Sequence, residues 1–351
     1  MKRLLVIRFG ALGDLIHLSP SLDAVKKAHP ELEIHLLTSP IYQNLASLFP
    51  AVKQVWTWDK KTGWAGLWKL ASSLRQIQID AVVNLHPSLK SWLLTQALQP
   101  VQQATYHKQK LAAKGKAQRH QARLHAVTDF YQPFRRLLNL PEQEFLTSNL
   151  SLPEQITHTL PTKPEHERWI GIIPGVGAKR SNRAWEPERY IELITALSKI
   201  PGLRILLIGG PDEQPLAQQI LNTFTHATDT DVLQNHCGLH DIPTTAAWLA
   251  QCDWVVGGDT GPLHLAAAVG VPILSIYGPT AVSRTGPRGC GPTLALTPPE
   301  ELFCWPCELP QCPYTGKDHL ACMKQIPVAS VLKAMNLPAS AMKQPHLTLE
   351  D

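Results

Sequence analysis

The run WVVGGDTGPLHLAAA, residues 254–268, joins a strand-like apolar stretch to two glycines, the pair Asp259-Thr260 and an apolar helical stretch opened by Gly261 and Pro262. Proline is tolerated in a helix's first turn because its missing N–H would have had no partner there. A strand ending in a glycine turn at a helix start presents unpaired backbone N–H groups and the positive end of the helix dipole. Together these suit a phosphate. Asp259 and Thr260 stand where side chains either cap the helix or reach a ribose or pyrophosphate, and His264 follows one turn later. A plain capped helix accounts for the same residues, and this segment alone does not separate the two readings.

Two other glycine turns carry polar groups. RFGALGDLIHLSP, residues 8–20, places Gly10 and Gly13 ahead of Asp14. It lacks the third glycine of a dinucleotide fingerprint, and a carboxylate at this point would repel a pyrophosphate. Asp14 is either a first-turn acid favoured by the helix dipole or a carboxylate facing a hydroxyl. The second turn, Pro174 to Gly177, leads through Lys179, Arg180 and Arg183 to a helix, a composition able to grip phosphate. Asp212 and Glu213, after Gly209-Gly210, are ribose candidates or helix caps. Asp229-Thr230-Asp231 spells the D-x-D of metal-dependent sugar transfer but reads as a loop. Cys304, Cys307, Cys312 and Cys322 lie within 19 residues and could bind zinc, form disulfides or remain thiols. Their spacing is not that of a standard knuckle, and no metal is assigned to them.

Strand–helix alternation must position these turns. Strands are expected at Arg3 to Arg8, Glu33 to Thr38, Ile79 to Leu85 and Val101 to Tyr106. Helices are expected at Leu15 to Ala28, Tyr42 to Phe49, Trp64 to Leu74 and Ser88 to Ala97. Trp64, Leu67, Trp68, Ala71 and Leu74 share one helix face, read as core-facing rather than membrane-lying. Prolines 153, 161 and 164 mark a linker over residues 151–167. A second α/β pattern begins at Arg168, with further strands at Leu203 to Ile208, Trp254 to Val256 and Val271 to Ile276. The expectation is two Rossmann-like α/β domains, 1–150 and 168–335, facing each other across a cleft at the carboxyl ends of their strands, with a loose tail at 336–351.

The chain's 351 residues, 44% hydrophobic and 17% charged, suffice for two cores. No apolar run approaches the roughly 18 to 20 residues of a membrane span. The apolar run from Leu4 is cut by Arg8 and reads as a strand, not a signal peptide, so a cytoplasmic location is expected. Net charge is +5, and the acid-free segment between Tyr106 and His125 holds six Lys and Arg residues, among them Lys114, Lys116 and Arg119. No aromatic residues are interleaved there beyond Tyr106, so a nucleic-acid partner is not expected.

The run GGDTGPLHLAAAVGVPILSIYGPT, residues 257–280, resembles the nucleotide-sugar segment of glycosyltransferase family nine, the heptosyltransferases. Gly258 stands where that family often has Asn. The G-x-x-G-D opening, the Pro174-Gly175 loop before Trp185, and the cysteine cluster are also similar to that family. The resemblance implies a GT-B fold and inverting transfer of a sugar, typically heptose from an ADP-sugar, to a lipopolysaccharide-core-type acceptor. It implies Asp14 as catalytic base and places Arg183 where the family usually has its diphosphate-binding lysine, with Lys179 and Arg180 as alternatives. Asp259, Thr260, Gly261 and His264 would hold the nucleotide sugar. Lys114, Lys116 and Arg119 would meet an anionic lipid-linked acceptor at the inner membrane face, and no cofactor or metal is called for. The rival readings are an epimerase on the same fold, a non-catalytic nucleotide-sugar-binding protein, and a dehydrogenase, the last weakened by the missing third glycine.

Overall fold

Apolar runs bounded by glycine and proline become strands in a computed structural model that describes residues 1–107, 124–143, 146–224 and 232–336, excluding the side chains of residues 46, 178 and 179. Lys114, Lys116, Arg119, the Asp229–Asp231 triplet and residues 337–351 therefore lie outside the described residues, as does the side chain of Lys179. Among the described residues the strands form two all-parallel sheets. The first contains β1 (Arg3–Ile7), β2 (Glu33–Thr38), β3 (Val52–Thr57), β4 (Ala81–Asn84) and β5 (Gln102–Thr105), in the order β3-β2-β1-β4-β5. The second contains β6 (Arg168–Ile173), β7 (Leu203–Leu207), β8 (Leu233–Asn235), β9 (Trp254–Gly258), β10 (Ile273–Ile276) and β11 (Thr293–Leu296), in the order β11-β10-β9-β6-β7-β8. In both, the chain steps outward from a central strand and then crosses back beside it, so each sheet has a switch point: β1 against β4, and β6 against β9. Crevices open at the carboxyl ends of the strands at such points.

Among the described residues the α-helices of seven residues or more are α1 (Leu12–Ala28), α2 (Gly63–Gln76), α3 (Leu89–Leu98), α4 (Ala126–Leu138), α5 (Pro187–Leu197), α6 (Gln214–Leu221), α7 (Ile242–Ala250), α8 (Gly261–Ala268) and α9 (Val328–Ala334). Helix α1 is buried along most of its length, from Leu15 to Leu22 and again at Val25. It packs on α4 within its own half and on α8 of the other. This all-round burial explains why its sequence shows no amphipathic stripe. One apolar core therefore runs from Leu4 and Val6 through Leu15 and Leu22 to Leu263, Ala267 and Ile273. Residues 148–150 strengthen the join: Ser148 N–H donates to the Arg288 carbonyl at 2.8 Å, and Leu150 N–H to the Ala268 carbonyl at 2.9 Å.

Several expectations are corrected. Three strands were unforeseen: β3, β8 and β11. All three are sheet edges with half-exposed or exposed residues, so their apolar pattern is weak. Tyr42 to Phe49 is 3₁₀ rather than α-helical, spanning Pro40–Leu48. The shared face on α2 is also revised. Its buried stripe is Leu67, Leu70, Ala71 and Leu74, at i, i+3, i+4 and i+7, while Trp64 and Trp68 project toward water. The expected linker contains a single helical turn, Glu154–Thr157.

Candidate functional site

The two switch points face each other across a cleft of about 580 Å³. One wall follows β1. Its first polar residue is Arg8, whose guanidinium donates to the Leu85 carbonyl at 2.6 Å and lies 4.8 Å over the Phe130 ring. Arg8 also pairs with Asp14, the third residue of α1. The same carboxylate oxygen, Oδ2, accepts the Ala11 N–H at 3.1 Å. Asp14 thus caps its own helix through one oxygen, while Oδ1 has no partner among the described residues. Its side chain is 37% exposed and lines the cleft.

The opposite wall follows β9. Thr260 is the N-cap of α8, with no capping bond from its side chain; Pro262 has no N–H and those of Leu263 and His264 donate to the Thr260 carbonyl, so the first-turn amide open toward the cleft is that of Gly261. Asp259 behaves differently from Asp14. Its side chain is 3% exposed, and Arg183 Nη1 lies 2.6 Å from Oδ2. Thr280 Oγ1 donates to Oδ2 at 2.8 Å, Tyr277 OH, which donates to the Thr285 carbonyl at 2.7 Å, stands 3.3 Å from Oδ1, and His264 Nε2 stands 3.4 Å from Oδ1. Burial alone would raise the Asp259 pKa. The His264 hydrogen bond, the Arg183 charge and the Thr280 hydroxyl outweigh it and hold the carboxyl below its ordinary value. The carboxylate is saturated, so it acts on the cleft through the groups it holds and does not offer a free oxygen to a ribose.

A histidine chain crosses from one half to the other. His17 Nε2 lies 3.1 Å from His264 Nδ1, and the two rings meet edge to face at 4.4 Å. Because the Asp259 carboxylate only accepts, His264 carries a proton on Nε2. In the neutral ring Nδ1 is then the acceptor for His17 Nε2–H. Burial, then the neighbouring His264, His125, Arg288 and Arg8, push the His17 pKa well below 6.5. His125 sits beside it, with Nε2 2.8 Å from the Gly286 carbonyl. Burial and Arg288 lower it to about 4. This close approach requires glycine: a Cβ on Gly13 would stand 2.9 Å from His264 Cδ2, and one on Gly261 would stand 2.8 Å from Leu12 Cβ.

The cleft thus gathers Asp14, Arg183, Asp259, Thr260, Gly261 and His264. Arg183 is committed to Asp259, leaving its buried Nε without a partner. Arg180 is exposed, lines the cleft and has no acid partner among the described residues. Asp212 and Glu213 do not reach the cleft. Glu213 is instead a tie, accepting the Gly177 N–H at 3.0 Å and the Gly210 N–H at 2.8 Å. Gly175 must lack a side chain because its Cβ would lie 2.2 Å from Glu213 Cγ.

Arg8, His17, Tyr106 and Arg284 also line the cleft, and sequence reading assigned them no role. Arg8 and His17 had a visible signal, as polar residues interrupting an apolar strand and an apolar helix. Tyr106, which donates to Asp129 at 2.6 Å, and Arg284, paired with Glu308, had none. The four clustered cysteines surround one small apolar cavity and none is in a disulfide. Burial and the three neighbouring thiols push Cys322 up to about 12. Among the described residues no group of three or more His, Cys, Asp or Glu is arranged to hold a metal ion, and no helix is long and apolar enough to cross a membrane.

Residues 67–300 match the model of glycosyltransferase family 9 (heptosyltransferase). The lipooligosaccharide heptosyltransferase 2 of Campylobacter jejuni serotype O:2 is 25% identical over 342 residues, covering 96% of this chain and 97% of that one. The solved Escherichia coli ADP-heptose lipopolysaccharide heptosyltransferase II superposes with a TM-score of 0.75 at 19% identity, covering 97% of this chain and 99% of its own. The E. coli heptosyltransferase WaaC, solved with ADP, superposes with a TM-score of 0.68 at 20% identity, covering 95% and 98%.

Proposed function

Because the chain belongs to glycosyltransferase family 9, the heptosyltransferases, we propose that it transfers heptose from ADP-heptose, with inversion, to a hydroxyl of an anionic lipid-linked glycan of the lipopolysaccharide-core type. One observation carries this reading. A carboxylate with one oxygen unpartnered and an uncapped helix N-terminus, from opposite halves of the molecule, line the same cleft.

The chemistry follows from that placement. The acceptor hydroxyl oxygen bonds to C1 of the heptose as the C1–O bond to the diphosphate breaks, and the bonding pair leaves with ADP. Asp14 Oδ1 takes the hydroxyl proton. Arg8 and the Ala11 amide grip the other oxygen and aim the carboxylate. The developing charge on the departing diphosphate meets the amides near Thr260 and Gly261, with Arg180 and Arg183 beside them. Arg183 is held in place by Asp259, whereas Arg180 is free to follow the diphosphate. The ADP preference is supported by the similarity to WaaC, a protein solved with that nucleotide.

The test is a panel of nucleotide diphosphate sugars scored by melting-temperature shift, followed by ADP release on adding a deacylated core acceptor. ADP-heptose should give the largest shift, and ADP should appear only with acceptor present. A larger shift with a uridine or guanosine diphosphate sugar would remove the donor assignment. ADP-heptose binding with no ADP release from any core acceptor would favour a binding protein over a transferase.

A further inference from the structure

Beside the mouth of the cleft, α2 and α3 leave large apolar side chains uncovered. Trp64 is 46% exposed, Trp68 51%, Trp92 54% and Leu89 65%. Trp64 and Trp68 lie one turn apart on α2, Leu89 and Trp92 one turn apart on α3, and the two helices pack together. Three half-exposed indoles in neighbouring turns are more than the scattered apolar residues of an ordinary surface. Lys90 joins the two helices, with Nζ 5.3 Å from the Trp64 ring centroid and 5.1 Å from that of buried Trp58. Lys60, Lys61 and Lys69 are exposed on the same two-helix unit and the turn leading into it. From Asp59 to His107 the acids are Asp59, exposed at the start of that turn and accepting the Lys61 N–H at 2.9 Å, and Asp80. Asp80 accepts the backbone N–H groups of Lys2 and Arg3, at the opposite end of the strands from the cleft.

We propose that this face docks on an anionic phospholipid bilayer, with Trp64, Trp68 and Trp92 at headgroup depth and Lys60, Lys61, Lys69 and Lys90 on lipid phosphates. Indole rings are amphipathic and settle at the membrane–water boundary. Lysines rimming them add attraction to a negative leaflet, and their stems cover apolar surface while the ammonium reaches outward. Charge favours a lipid surface over a protein partner, because exposed lysines around the indoles match the extended negative surface of an anionic leaflet. The docked orientation has a consequence that rests on the transferase reading. His86 and Pro87 line the cleft and Ser88 caps α3 immediately afterwards, so the cleft mouth would open at the bilayer, where a lipid-linked acceptor resides.

The experiment is co-sedimentation of the full chain with vesicles of phosphatidylcholine alone or mixed with phosphatidylglycerol, with brominated lipid as a tryptophan quencher. Binding should require phosphatidylglycerol, weaken with salt and bring quenching. Trp64→Ser, Trp68→Ser and Trp92→Ser together should weaken it at least roughly tenfold. Lys60→Gln, Lys61→Gln and Lys69→Gln together should weaken it about tenfold and flatten its salt dependence. Both variants should keep the parental melting temperature and ADP affinity. The proposal fails if the unmodified chain ignores anionic vesicles, or if both variants bind them as the parent does. It fails equally if the tryptophan changes abolish self-association while leaving vesicle binding intact. Vesicle binding without any sugar transfer would remove the transferase reading and leave the docking face standing.

Discussion

Asp14 and Asp259 occupy comparable places in the two halves. Each follows a glycine where a central parallel strand feeds a helix, Asp259 just before its helix begins and Asp14 in the first turn of its own, and each lines the same cleft. Their surroundings differ. Asp14 is 37% exposed and uses one oxygen for Arg8 and the Ala11 amide, while Asp259 is 3% exposed and surrounded by Arg183, His264, Tyr277 and Thr280. A carboxylate can exchange a proton with a substrate only where an oxygen is open. A carboxylate that several donors saturate is worth more as an anchor for those donors. In the proposed reaction the halves divide the work: the first exposes a group able to do chemistry, and the second hides one that would hold the phosphate side rigid.

The sharpest way to break this contrast is to neutralise each acid. Asp14→Asn keeps the shape and the Ala11 contact but removes the proton acceptor, so turnover should fall by roughly 100-fold to 10,000-fold. Melting temperature and ADP affinity should stay near those of the parent, and rate and melting curve should be read on one preparation. Near-normal turnover would end the catalytic assignment of Asp14. Asp259→Ala should do the reverse in kind, because it leaves half-buried Arg183 and buried Thr280 without their shared partner. Denaturant titration should show a loss of up to about 3 kcal/mol. Adding Arg183→Met should recover part of that loss, since the uncompensated charge is then gone. If the single change leaves stability untouched, Asp259 is not an anchor.

The seam between the halves offers a pH test. His125 is held at about 4 by burial and Arg288, while an unfolded histidine titrates near 6.5. The folded form is therefore neutral where the unfolded chain binds a proton. Its stability is complete above about pH 6.5 and is lost as pH falls toward 4, a contribution of about 3 kcal/mol. Half-buried Asp23, raised to about 6, acts in the opposite direction, losing stability as pH rises toward 6. Replacing His125 with Asn should flatten the fall in stability between pH 6.5 and 4, read by urea titration at several pH values. An unchanged slope would place the acid sensitivity elsewhere. The smallest expected effect is that of Gly13→Ala, whose new methyl would press on the His264 ring. A cost of about 1 to 3 kcal/mol is expected, with a weakened His17–His264 contact. A neutral result would mean that α1 and α8 can shift apart freely.

The central strands were legible because burial on both faces produces continuous apolar runs, as at Leu4 to Ile7 and Val255-Val256. The glycine turns were legible too, because a strand ending in Gly-Asp before a helix is a local pattern. The edge strands β3, β8 and β11 were not, since an edge lacks one neighbour and tolerates polar residues. On α2 the spacing of apolar residues was read correctly as helical, and Leu67, Ala71 and Leu74 are buried as expected, but Trp64 and Trp68 are not and Leu70 is. Periodicity reports the angle between residues, and it cannot say where the arc that meets the core ends when tryptophans adjoin the stripe on one flank.

The sequence by itself determined that this chain forms two parallel α/β units, and that glycine turns carrying Asp14, Arg183 and Asp259 stand at strand ends. Those features depend on residues a few positions apart. Only the tertiary structure decided which acid is open and which is buried, that Glu213 ties two loops instead of meeting a ligand, and that Trp64 and Trp68 face water. It alone brought His17 against His264, 247 positions away in the chain. Burial and pairing are set by whatever else packs at the same point in space, and here those neighbours come from strands and helices that local spacing cannot bring together.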